Sequence, residues 1–131
     1  MPAKALRFAQ AVMLLNGLTY LAVGAALLLA PEWFFANIGN FPPFNRHYMG
    51  DAGTFLLAIG IGLLIAARDP WKHKLMVGVG VLASVFHTLN HAYDGVISGA
   101  SLMHWVIDLG PLLVFVIMLI VVYAQMRPVE A

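Results

Sequence analysis

The sequence predicts an all-α fold, an integral membrane bundle of four antiparallel helices with both termini in the cytoplasm. Three observations lead there. Hydrophobic residues make up 62% of the chain and charged residues 10%, with a mean hydropathy of +0.88, far more apolar than a soluble domain of this size. Four apolar stretches are each long enough to cross a hydrocarbon core of about 30 Å, which takes roughly 20 helical residues. Basic residues gather on one side of those stretches.

The first span is expected from Phe8 to Ala30. It exceeds the roughly 7 to 15 residues of a signal-peptide core, so a retained helix is expected despite Lys4 and Arg7 ahead of it. Pro31 ends it, and Trp33, Phe34 and Phe35 suit a headgroup region. Gly39, Pro42 and Pro43 make the connection from Asn37 to Asn45 irregular. The second span should run from Arg46 to Ala67, broken from the third by Asp69-Pro70. The third is expected from Lys74 to Tyr93, ended by Gly95 and Gly99, and the fourth from Ser101 to Met126. Gly110-Pro111 should kink this last helix. Gly53, Gly60, Gly62, Gly78 and Gly80 read as sites of close helix approach, and Asn16 and Tyr20 as interhelical hydrogen-bonding groups. Short connections make successive helices antiparallel neighbours in one domain spanning 1–131.

Lys4, Arg7, Arg68, Lys72, Lys74 and Arg127 fall at one end of the spans, and only Arg46 at the other. The positive-inside rule places the first end in the cytoplasm. The opposite end then faces the periplasm or exterior of the cell (plasma or inner) membrane.

That opposite end carries the chemistry. His47, His87, His91 and His104 lie there with Asp51, Asp94 and Asp108. Ionisable side chains are costly inside a bilayer and face the bundle interior, where they pair or bind something. His47 and Asp51, His87 and His91, and His104 and Asp108 are i,i+4 pairs, and His91 and Asp94 are i,i+3, so each set shares a helical face. At 1.5 Å per residue, Asp51, His87 and Asp108 should form a layer about 8 to 10 Å below the helix ends. His47, His91 and His104 lie a turn nearer the surface, with Asp94 at the rim. Converging, these seven side chains make an N/O field suited to Zn, Fe, Mn or Cu, with the carboxylates as ligands or as partners that fix the histidine tautomers. The competing reading is a polar network in which Arg46 neutralises Asp51 or Asp108.

Haem is disfavoured, because aspartates around a porphyrin iron have no clear role whereas around a divalent cation they supply charge. With no cysteine, thiolate ligation and disulfides are excluded. The chain carries no P-loop, Gly-rich phosphate loop or nucleophile triad. A net charge of +1 gives no support to nucleic acid binding. The leading expectation is therefore a membrane protein holding a transition metal at this cluster, with redox or hydrolytic chemistry open to it. Two alternatives stand beside it: a noncatalytic accessory subunit of a larger membrane oxidoreductase or transport complex, and a haem or quinone redox carrier. The expected partners are the lipid bilayer and either a larger membrane complex or further copies of this chain.

The segment Phe44-Asn45-Arg46-His47-Tyr48-Met49-Gly50-Asp51-Ala52-Gly53, followed by an apolar span ending Ala66-Ala67-Arg68-Asp69-Pro70 and then His87 and His91, resembles a group of small bacterial four-span proteins. That group is common in actinobacteria, loosely DoxX-like, and carries an FNxHxxxDxG segment and a later histidine-rich helix end. The resemblance covers roughly residues 30–95. It implies a four-helix membrane bundle, with some relatives connected to membrane redox chemistry. Gly50 departs from the pattern, standing where relatives often have a basic residue.

Overall fold

The computed structural model describes residues 3–126, all of whose regular elements are helical. Arg127, one of the basic residues counted above, lies outside the described residues. Helix α1 covers Ala3–Leu29, α2 Pro31–Asn37, α3 Arg46–Ala66 and α4 Lys74–Ile97. The last rod is composite: α5 (Leu102–His104), a π-helical turn (Trp105–Leu109) and α6 (Gly110–Gln125). Among the described residues, four helices are long and apolar enough to cross a membrane: α1, α3, α4 and the rod Leu102–Gln125. Large apolar side chains such as Leu29, Phe55, Leu75 and Leu102 project outward from them, where a water-soluble bundle would carry polar groups. This surface is suited to lipid acyl chains.

Proline sets the first corner. Pro31 restricts the residue before it to non-helical backbone, and Ala30 accordingly takes φ −140°. The chain then re-enters a helix whose first position suits proline, because the missing N–H would have no partner there. The aromatic set Trp33 to Phe35 thus sits on a short helix, α2. Beyond the loop, Asn45 caps α3: its Oδ1 accepts from the backbone N–H of His47 at 3.0 Å and of Tyr48 at 3.2 Å.

The most extensive helix pairing joins α1 to α3, and glycine makes it. A Cβ on Gly24 would stand 2.8 Å from Gly53 O, and one on Gly60 would stand 2.9 Å from Gly17 O. Two backbone-to-backbone contacts, two helical turns apart, hold the helices closer than any side chain allows. Gly17 and Gly24 are contacts the sequence reading did not single out. Gly80 admits the Leu63 side chain and Gly62 that of Met76, while Gly78 lies against the Tyr123 ring.

The closely packed core gathers at one end of the bundle. It comprises Ala9, Val12, Met13, Leu63, Ala66, Ala67, Val77, Leu119, Val122 and Met126. Polar ties close this end: Lys74 Nζ donates to Met126 O at 2.7 Å, and Gln10 Nε2 to Arg68 O at 3.4 Å.

At the other end α4 runs a turn past Tyr93 to Ile97, beyond the expected boundary. Gly95 does not break the helix; its missing side chain makes room for the Trp105 ring, 3.0 Å from where a Cβ would be. Gly99 is the terminator, at φ 62°. Its N–H donates to Val96 O and that of Ala100 to Gly95 O, the paired bonds that close a helix through a left-handed residue. His87, His91 and Asp94 consequently lie a turn farther from the helix end than a stop at Tyr93 implies.

In the last rod the disturbance expected at Gly110-Pro111 takes the form of the π turn. Proline has no N–H to give to the carbonyl four residues back, here Ile107. The ladder widens upstream instead, and the Gly110 N–H donates to Trp105 O.

Candidate functional site

Six of the seven expected residues form three pairs, one each on α3, α4 and the last rod, and Asp94 stands on α4 outside them. On α4, His87 and His91 face the same way, one turn apart, with ring centroids 4.7 Å from each other and planes at 65°. His91 Nδ1 is buried without a hydrogen-bond partner. On the last rod, His104 Nδ1 lies 2.6 Å from Asp108 Oδ2, both side chains about one-third exposed. Asp108 belongs to the π turn, so this pair spans the α-to-π junction. With Nδ1 held by a carboxylate, the ring orientation is fixed and Nε2 is presented as the coordinating atom.

These two pairs lie near one another. The ring of Phe41, on the loop between α2 and α3, meets both His91 and His104, at centroid distances of 6.3 and 6.2 Å. The same loop and the α4–α5 connection border a crevice of about 480 Å³ that reaches His104 and Asp108. Asp94 is turned aside: its Oδ2 accepts from Asn90 Nδ2 at 3.1 Å. Neither Phe41 nor Asn90 was singled out in the sequence. Asn90 had an i,i+4 signal to Asp94, whereas Phe41, in a loop, had none.

His47 and Asp51 form a separate pair, Nε2 to Oδ2 at 3.4 Å, with side chains 79% and 57% exposed. The cause is the rotation of α3. Asp51 precedes Gly53 by two residues, or about 200° of helical turn, and Gly53 is fixed against α1. The Asp51 face therefore turns away from that contact. Asn45 and Gly53 of the same segment do structural work, one as a cap and one as a helix contact. Among the described residues no three His, Cys, Asp or Glu side chains stand close enough together to hold a metal ion as they are oriented.

Deeper in the bundle, His87 borders a second space. Tyr20 Oη and Ser84 Oγ share a 2.7 Å hydrogen bond between α1 and α4, and Thr88 Oγ1 donates to Ser84 O at 2.7 Å. Asn16 makes no interhelical bond; its Nδ2 donates to Val12 O within α1 at 2.9 Å. A cavity of about 70 Å³ lies among these residues.

The chain matches no protein-family model, no curated protein and no solved structure.

Proposed function

We propose that this chain is an antiparallel four-helix protein of the plasma membrane, with both termini cytoplasmic, that binds one transition-metal ion at its outer end. His87, His91 and His104 are the ligands. Asp108 orients His104, and Asp94 adds negative charge at the rim. His47 and Asp51 stand apart at the mouth and assist capture of the cation.

The observation that carries this reading is the buried, unpartnered Nδ1 of His91, beside His87 and meeting the same Phe41 ring as His104 of the His104–Asp108 pair. An orphaned buried nitrogen calls for a partner such as a water or an ion. Imidazole nitrogens with a carboxylate behind one of them suit a borderline cation, Zn or a divalent first-row metal. The arrangement of helix ends supports the topology: the start of α4 is tied to the end of α6, and the start of α1 to the turn after α3.

The test is metal analysis of protein purified without chelators, beside His87→Ala and His91→Ala. Near-stoichiometric metal, lost in both variants, is expected. Folded protein without metal, even after incubation with Zn, Mn, Fe or Cu salts, would falsify the reading.

A further inference from the structure

The loop between α2 and α3 forms a strap at the histidine end of the bundle, fixed at its two ends. The N–H groups of Ile38 and Gly39 both donate to Phe34 O, at 2.8 and 3.1 Å. The Phe44 ring meets that of Phe35 edge-on at 5.3 Å, just ahead of the Asn45 cap. Between these anchors the strap is held by a hydrogen bond of its own, from Phe41 N–H to Gly39 O at 3.0 Å, and Asn40, Phe41, Pro42 and Pro43 are exposed. Backbone with so few ties to its neighbours opens locally at low cost.

Phe41 is where the strap meets the histidines. Its ring stands at 89° to that of His91 and at 66° to that of His104, the edge-on arrangement that aromatic rings favour. Phe41 also borders the crevice that reaches His104 and Asp108, whereas His91 does not. A cation entering the crevice thus meets His104 and Asp108 first and finds the Phe41 ring between it and His91. That ring is itself 44% exposed, so contacts with the two imidazoles, and not a packed core, keep it in place. We infer that Phe41 is a gate: closed, it shuts off His91, and His87 one turn deeper, from the crevice; swung outward on its strap, it lets a cation through. Two edge-on contacts make the open position roughly 10- to 100-fold rarer than the closed one. What passes the gate rests on the metal reading above, but the gate itself does not.

Diethyl pyrocarbonate, which acylates neutral imidazole nitrogens it can reach, tests the gate on the metal-free full chain in lipid nanodiscs. Peptide mass spectrometry should show His91 modified at least about 10-fold more slowly than His47, whose side chain is 79% exposed. Phe41→Ala should remove most of that difference and leave His47 unchanged. Wild-type His91 modified as fast as His47 overturns the inference, and so does full protection of His91 in folded Phe41→Ala. Phe41→Leu, which keeps much of the apolar bulk, replaces the alanine variant if that one does not fold; partial loss of protection is expected, and no loss overturns the gate. With Zn as the ion, Phe41→Ala should bind and release it about 10-fold faster at nearly constant affinity. Rates equal to those of the wild type, in protein that does bind Zn, overturn the gate. Wild-type protein that binds no Zn counts against the metal site alone, and the labelling then decides the gate.

Discussion

Gly24 and Gly53 face each other across the α1–α3 contact so closely that a Cβ on either would stand 2.8 Å from the carbonyl oxygen of the other. Backbone meets backbone, and neither side can yield by turning a rotamer. Gly53→Ala should therefore destabilise the protein by about 1 to 3 kcal/mol, the usual cost of overpacking. Gly50→Ala, one turn away in the same helix and with its nearest neighbour at 3.9 Å, should instead be neutral or stabilising by up to about 1 kcal/mol, since alanine is the better helix former. Thermal or denaturant unfolding of both variants in one detergent checks the contrast. Equal effects would show that α1 and α3 do not meet through these glycines.

The cap on α3 gives a second expectation. Asn45→Ala leaves the first amides of the helix without their side-chain acceptor and should cost about 1 kcal/mol. Asn45→Asp, which keeps the acceptor, should restore most of it. Hydrogen exchange at His47 and Tyr48 reports the effect directly, and slow exchange retained in Asn45→Ala would contradict the cap.

Tyr20 and Ser84 tie α1 to α4 through one hydrogen bond. A double-mutant cycle with Tyr20→Phe and Ser84→Ala should yield a coupling energy of about 0.6 kcal/mol, the average for such bonds between membrane helices. A coupling indistinguishable from zero would mean that the bond makes no net contribution.

At the proposed metal site, Asp108→Asn keeps the size of the side chain but weakens its hold on His104. Metal affinity should fall about 10- to 100-fold, as for other carboxylates that orient a ligating histidine. His47→Ala should alter the association rate and its salt dependence more than the affinity, because His47 is exposed and apart from the ligands. Competition titration with a metal indicator separates the two effects. Equal affinities for Asp108→Asn and wild type would remove Asp108 from the site.

Hydropathy and helix-breaking residues placed the long helices to within a few residues at most ends, because membrane spans announce themselves by length and composition. The exceptions have physical causes. The sequence of α4 suggests a stop at Gly95, but that residue is used for contact with Trp105 and only Gly99 needs left-handed backbone. Ahead of α1, Lys4 and Arg7 suggest a later start than Ala3, yet both are helical. The i,i+4 histidine pairs were legible because they depend on helical periodicity alone. Whether the pairs face one another was not, since that depends on how each helix is rotated. For α3 the rotation is set by Gly17 and Gly24 on another helix. Phe41, touching two histidine rings from a loop without periodicity, could be found only from the folded chain.

The π turn at Trp105–Leu109 works as a phase shifter within a single rod. Above it, the rod brings His104 against the Phe41 ring that also meets His91; below it, Leu119 and Val122 enter the packed core. Its extra residue sets the angle between the two halves. Removing one residue there would turn the upper half by about 100° and carry His104 away from the Phe41 ring, while the lower half kept its seat. The chain would still pack its core, and only the end that bears the histidines would be out of step.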